Sequence, residues 1–265
     1  MSSIELDALS QVAVVLMRTS HPGNIGGAGR AMKTMGLSDL RLVSPKNFPC
    51  DEAYRRSTGA EDVLIKAQVC DSLEDAIKDC HIVIGASARS RKMVWPLMNP
   101  RDCSELVVNA ISSRQIAGQT KVALLFGQEA SGLSNEELQR CNYHVNIPAN
   151  AEYSSLNLSM AVQVICYEIR MSLLYRGDSE SAAAASLSAL SPQLGNWDVD
   201  LASSDDVERF FEHLEETLIK IEFHDPKNPR MLMTRLRRLI QRAHMDKMEV
   251  NIMRGIMTAI QKKII

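Results

Sequence analysis

A chain of 265 residues, 45% hydrophobic and 23% charged, has ordinary globular composition and enough apolar material for one large core, or a medium core with a small appendage. A net charge of -2 and a pI near 6.3 exclude a globally basic nucleic-acid binder, so any such surface must be local. Six cysteines without C-x-x-C spacing (Cys50, Cys70, Cys80, Cys103, Cys141, Cys166) argue for buried thiols in a reducing cytosol and against a metal site, and no apolar run approaches the roughly 18 residues of a membrane span, so a soluble cytoplasmic protein is expected.

Val12 to Met17 is a continuous apolar run that reads as a buried strand, and Arg18 to Arg30 follows it with Pro22, Gly23, Gly26, Gly27 and Gly29. That density of small and kinking residues predicts a tight loop, then a helix from about Gly27 to Met35 stopped by Gly36. Strand, glycine loop and helix often cradle a phosphate. No dinucleotide register exists here, because Gly27-Ala28-Gly29 leads to Met32, and no G-K-[ST] follows. Arg30 is expected in the first turns of that helix, either solvated or placed to meet an anion. Leu40 to Val43 gives a second strand, and residues 44–58 read as a loop or irregular helix. A capping pattern at Ser72 opens a short helix to Cys80, and His81 to Ala86 is another buried strand. Strands alternating with helices predict an α/β fold with a mainly parallel sheet. Gly85-Ala86-Ser87-Ala88 at a strand end is small enough to line a pocket, and Arg89-Ser90-Arg91-Lys92 beyond it is a basic loop.

Lys121 to Phe126 is the next strand, and in the loop after it Gly127 and Gly132 bracket Glu129, so that backbone can approach a ligand closely. A helix from Asn135 to Arg140 follows. His144 to Ile147 alternates as a strand end that Pro148 terminates. Beyond it a long helix is predicted from Ser154 or Ser155 to about Tyr175, with Leu158, Ala161, Val162, Ile165 and Ile169 as its apolar stripe, facing the core or a subunit interface. Ser155 and Asn157 at its start are either plain caps or site residues beside a positive helix terminus. Residues 177–200, rich in Ser and Ala, read as a linker. Three amphipathic helices follow as a small bundle, the middle segment carrying Lys227, Arg230, Arg235, Arg237, Arg238, Arg242 and Lys247. So uneven a run in a slightly acidic chain favours an RNA-facing surface over a merely solvated face, and no helix-turn-helix spacing or zinc-finger pattern argues for DNA instead.

Three segments form a set: Asn24-Ile25-Gly26-Gly27-Ala28-Gly29-Arg30, Phe126-Gly127-Gln128-Glu129-Ala130-Ser131-Gly132-Leu133-Ser134, and Ile147-Pro148 leading to Tyr153-Ser154-Ser155-Leu156-Asn157-Leu158-Ser159. In order and separation they resemble the three motifs of the SpoU branch of SPOUT RNA methyltransferases. With Ser87-Ala88-Arg89-Ser90-Arg91, Arg237-Arg238-Leu239 and Met253-Arg254-Gly255-Ile256, the chain is similar to the bacterial tRNA 2′-O-methyltransferases of that branch from about Val12 onward, excepting the linker. The resemblance implies a SPOUT-like domain over 1–176 with a deep trefoil knot at its C-terminal part, a linker over 177–200 and a helical tRNA-binding domain over 201–265. It implies S-adenosylmethionine as cofactor, a homodimer, and 2′-O-methylation of cytidine or uridine at nucleotide 32 of the tRNA anticodon loop. Mapped onto matching positions, Ala86, Ser87, Ala88, Gly127, Ile147, Ser154, Ser155 and Leu156 would surround the cofactor, and Arg30, Asn24, Glu129, Ser155 and Asn157 would form the catalytic site. Arg89, Arg91, Arg235, Arg237, Arg238 and Arg242 would meet RNA, and no metal is implied. The alternatives are a ribosomal RNA 2′-O-methyltransferase of the same branch and a non-catalytic RNA-binding module.

Overall fold

The structure, a computed structural model, describes residues 8–87, 97–112, 120–150, 152–178 and 199–264. Seven strands form one sheet in the order β3-β2-β1-β6-β4-β7-β5. They are β1 (Val12–Met17), β2 (Asp39–Val43), β3 (Gln68–Cys70), β4 (Ile82–Ala86), β5 (Leu97–Met98), β6 (Val122–Phe126) and β7 (Tyr143–Val145), and every neighbouring pair is parallel. The unbroken apolar runs of β1 and β6 suit a sheet covered on both faces. Along β1, Val12, Val14 and Leu16 enter one core and Val15 and Met17 the other, as the two-residue period of a strand requires. The first core is closed by α1 (Pro22–Met35), α2 (Asp51–Ser57), α3 (Glu61–Ile65), α5 (Pro100–Ser112) and α7 (Leu158–Asp178), the second by α4 (Leu73–Ile77) and α6 (Asn135–Gln139).

Two helix starts differ from expectation, each for a capping reason. Helix α1 begins at Pro22, not near Gly27: Pro22 needs no N–H in the first turn, and His21 Nδ1 accepts the Gly23 N–H at 3.1 Å. The glycines therefore lie inside a helix, where they allow close approach. A Cβ on Gly26 would run into the Ala53 carbonyl oxygen, and one on Gly29 into Leu64 Cδ1. Helix α7 begins at Leu158, because Asn157 Oδ1 accepts the Ser159 N–H at 2.9 Å and so takes the cap expected of Ser154 or Ser155. The apolar stripe of α7 is core: Leu158, Val162, Ile165 and Ile169 are buried within this chain, which removes that stripe as the reason for a second subunit. Strand β7 lies slightly earlier than His144 to Ile147, and α3, β3, β5 and α5 are further elements that the sequence pattern does not announce.

Helices α8 (Ser204–Lys220), α9 (Leu232–Gln241) and α10 (Lys247–Ile264) form the expected bundle around Phe210, Phe211, Leu214, Val250 and Met257. It docks on the sheet body through the Ser204 N–H to the Cys80 carbonyl (2.8 Å), Gln241 Nε2 to the Gln139 carbonyl (2.8 Å), Tyr143 Oη against His244 Nε2 (2.6 Å), and an ion pair of Arg140 with Glu208. Helix α7 runs on to Asp178, and most of the stretch read as a linker lies outside the described residues. No helix among the described residues is long and apolar enough to cross a membrane. Burial pushes the thiols of Cys80, Cys103 and Cys166 up to about 12, which leaves them unreactive.

The α1–α2 contact gives a direct test. Gly26→Ala, although it favours a helix intrinsically, should destabilise the fold by about 1–3 kcal/mol, because the backbone of α2 must move to admit one methyl group. Urea unfolding reads this as a lowered midpoint with an unchanged slope. An unchanged or raised midpoint would mean that the contact yields freely.

Candidate active site

At the carboxyl ends of β4, β6 and β7 the sheet opens into a cleft of about 140 Å³. Ala86 and Ser87 line it from the end of β4, Val145 from the end of β7 and Ile147 from just beyond it, and Ser154, Ser155 and Leu156 from the extended chain before α7. The remaining wall is the loop from Glu129 to Leu133, with Ala161 of α7 beneath. Gly127 does not line the cleft but permits its shape. A Cβ there would collide with the backbone of Gly132 and Leu133, where the loop folds back so that the Gly132 N–H reaches the Gln128 carbonyl at 2.7 Å. Gly132 itself has φ 69°, a left-handed conformation that glycine adopts without strain. Ala88, Arg89 and Arg91 lie outside the described residues.

At the rim of the cleft a chain of hydrogen bonds joins the three motif segments. Asn157 Nδ2 donates to Asn24 Oδ1 at 2.9 Å, and Asn24 Nδ2 donates to Glu129 Oε1 at 2.8 Å. The other carboxylate oxygen accepts from the backbone N–H (3.0 Å) and hydroxyl (2.8 Å) of Ser20, and the His21 N–H reaches Oε1 at 3.3 Å. At the opposite end, Asn157 Oδ1 accepts from the N–H and hydroxyl of Ser159. Partial burial alone would raise the Glu129 pKa, but the bonds from Asn24 and Ser20 outweigh it and bring it down to about 2. The sequence pointed to Asn24, Glu129 and Asn157, and the structure brings these three together. It missed Ser20 and Ser159. Ser20, two residues before the Pro22 that opens α1, could have been found from the Ser-His-Pro start of a helix.

Arg30 stands apart from this chain. It lies well inside α1, not in its first turns, with its side chain exposed, and among the described residues its guanidinium has no hydrogen-bond or ion-pair partner. Ser155 is exposed in the cleft wall. No group of His, Cys, Asp and Glu among the described residues could hold a metal ion.

The basic segment of the bundle divides. Arg235 and Arg242 are exposed, and Arg238 is half-buried. Arg237 differs from the expectation of an RNA contact: both its terminal nitrogens meet the carboxylate of Glu208 at 2.6 Å, and its guanidinium lies 4.4 Å from the centre of the Phe211 ring. Glu208 also pairs with Arg140 of the sheet body, so Arg237 belongs to the docking of the bundle.

This architecture agrees with comparison to known proteins. Residues 11–167 match the SpoU rRNA Methylase family, and the chain belongs to it. Within that family it is of the TrmJ type, since residues 205–265 match the C-terminal domain of the tRNA methyltransferase TrmJ. The chain is 48% identical over 256 residues to the tRNA (cytidine/uridine/adenosine-2′-O-)-methyltransferase TrmJ of Pseudomonas aeruginosa (strain UCBPP-PA14), covering 96% of this chain and 95% of that one. It is 46% identical over 254 residues to the tRNA (cytidine/uridine-2′-O-)-methyltransferase TrmJ of Pectobacterium atrosepticum, covering 96% and 98%. The crystal structure of TrmJ from Z. mobilis ZM4 superposes with a TM-score of 0.76 at 28% identity, covering 94% of this chain and 98% of that chain.

The Glu129 site should appear in acid stability. Its folded pKa, about 2, lies below the ordinary 4.5, so its charged form stabilises the fold fully above pH 4.5, and this contribution is lost as pH falls towards 2. Glu129→Gln, which sets an amide N–H against donors, should cost about 1–3 kcal/mol at pH 7, and the gap from wild type should narrow below pH 4.5. Denaturant titration at several pH values measures it. A gap independent of pH would contradict the ionised, donor-held carboxylate.

Proposed function

We propose that the chain transfers a methyl group from S-adenosylmethionine to the ribose 2′-hydroxyl of cytidine or uridine at nucleotide 32 of the tRNA anticodon loop, as a cytoplasmic homodimer acting on tRNA and not on DNA. The observation that carries this reading is the hydrogen-bond chain from Ser159 through Asn157 and Asn24 to Glu129, at the rim of a cleft where the carboxyl ends of three parallel strands meet. The tRNA reading is preferred to ribosomal RNA because the C-terminal bundle matches that of TrmJ. The proposed organisation is a methyltransferase domain over 1–176, a linker over 177–200 and a tRNA-binding domain over 201–265. β7, inserted between β4 and β5, and the loops around it would carry the trefoil knot.

The residues of the cleft suit such a cofactor. Leu133, Val145, Ile147, Leu156 and Ala161 offer an apolar wall for a purine, and Ser87, Ser154, Ser155 and the surrounding backbone offer polar atoms for its ribose and amino-acid ends. Ala86, Ser87, Ile147, Ser154, Ser155 and Leu156 would hold it directly, with Ala88 adjoining, and Gly127 shapes the loop behind. When bound, the group would supply a sulfonium methyl to the ribose oxygen as the C–S bond breaks, its electron pair staying on sulfur and the hydroxyl proton passing to solvent.

The chain's own residues would prepare the hydroxyl. With a pKa of about 2, Glu129 is a poor proton acceptor near neutrality, so its role is to hold Asn24 and not to act as general base. Asn24 and Asn157 each have a second amide N–H to offer the ribose. Arg30 brings a planar cationic fork able to orient ribose and neighbouring phosphate together, and Ser155 adds a hydroxyl from the cleft wall. Arg89, Arg91, Arg235, Arg238 and Arg242 would follow the RNA backbone.

Single-turnover methyl transfer at saturating tRNA and cofactor tests the Arg30 role. Arg30→Ala should fold and bind S-adenosylmethionine as wild type while its rate falls by roughly 10²–10⁴, and lysine should restore only part of the loss. A near-normal rate for Arg30→Ala would make the arginine a bystander. For the bundle, replacing Arg235 and Arg242 by Ala should weaken tRNA binding and lower the log-log salt slope by about 0.7 per lost phosphate contact. Unchanged affinity and slope would leave those arginines as a solvated face. Arg237→Ala should instead destabilise the docked bundle, by about 2–4 kcal/mol, because Glu208 loses a close charged partner.

A further inference from the structure

The carboxylate at the end of the hydrogen-bond chain is held from its far side by a residue outside the three motif segments. Ser20 Oγ donates to Glu129 Oε2 at 2.8 Å and the Ser20 N–H donates to the same oxygen at 3.0 Å, while Asn24 Nδ2 takes Oε1 at 2.8 Å. The direction of donation is determined at both ends. An ionised carboxylate only accepts, so Asn24 must turn its nitrogen to Glu129 and its oxygen to Asn157. A backbone N–H only donates, so the Ser159 N–H draws the Asn157 oxygen towards itself and leaves the Asn157 nitrogen facing Asn24. Neither amide can flip without placing two donors or two acceptors face to face.

We propose that Ser20 is a positioning residue for methyl transfer: by holding Glu129 in place as the acceptor end of the chain, it sets the orientation of the Asn24 and Asn157 amides that meet the ribose. This rests on the methyltransferase reading above. Ser20 sits between the end of β1 and the His21 cap of α1, where both its backbone N–H and its hydroxyl donate to Glu129. Losing that hydroxyl removes one of the donors on the carboxylate, allows Glu129 to rotate and to take up a proton at higher pH, and so loosens the orientation of both amides. Ser20 would thereby act on the transition state and leave the binding of S-adenosylmethionine at the walls of the cleft largely untouched.

The test compares Ser20→Ala and Ser20→Thr in the full-length protein, with two readouts. In single-turnover transfer to tRNA, Ser20→Ala should lower the rate roughly 10- to 100-fold with little change in cofactor affinity, and Ser20→Thr, which keeps the hydroxyl, should restore most of it. In ¹³C carboxyl titration, which does not depend on activity, Glu129 should remain ionised at pH 4 in the wild type and should begin to protonate at higher pH in Ser20→Ala. A wild-type rate together with a wild-type titration for Ser20→Ala would overturn the proposal. So would equal losses in the Ala and Thr variants, which would point to packing and not to the hydrogen bond. If the wild type itself transfers no methyl to tRNA, the functional reading falls with the positioning claim. The titration then still reports whether Ser20 holds the carboxylate.

Discussion

The site depends on keeping one half-buried carboxylate charged. Glu129 can remain ionised away from bulk water only if donors surround it, and they come from the turn after β1 and from the first turns of α1. That requirement ties the loop after β6 to α1, and through Asn157 to the start of α7. Three segments more than a hundred residues apart in the chain from first to last are thereby brought into one structure, 133 residues separating Asn24 from Asn157. The parallel sheet makes this possible, because β1 and β6 are neighbours and their carboxyl ends open on the same side.

Glycine serves a related need by a different route. In α1, Gly26 and Gly29 let α2 and α3 approach the helix, while the Cβ absent from Gly27 would stand 2.9 Å from Ser159 Cβ. The helix that carries Asn24 and Arg30 can therefore lie directly against the start of α7. Gly127 and Gly132 let the Glu129 loop fold back on itself beside the cleft. In both places small residues serve to bring backbones together, with no phosphate needed to explain them.

Much of this was legible in the residues alone. The buried strands β1, β4 and β6 announce themselves as unbroken apolar runs, and the three helices of the bundle by their apolar spacing. Helix starts were harder. A cluster of glycines reads locally as a loop, and only the contacts of α1 with α2, α3 and the start of α7 explain why Gly26, Gly29 and Gly27 are helical. Ser154 and Ser155 are as good a cap as Asn157 by residue type, and the choice falls to Asn157 because its side chain also has Asn24 to meet. Arg237 was read as one of several like charges, since a helix face does not reveal that Glu208, 29 residues away, lies within reach. For Ser20 the same holds: the Ser-His-Pro helix start marks its place, but not its partner Glu129, 109 residues distant.

The atom that receives the methyl group defines the enzyme. The most direct measurement is to incubate the purified protein with unmodified tRNA transcripts and S-adenosylmethionine labelled in its methyl group, then locate the label by nuclease digestion and mass spectrometry. The predicted result is a single ribose 2′-O-methyl group on the cytidine or uridine at nucleotide 32. Label on a base, on ribosomal RNA in preference to tRNA, or on no RNA at all would contradict it.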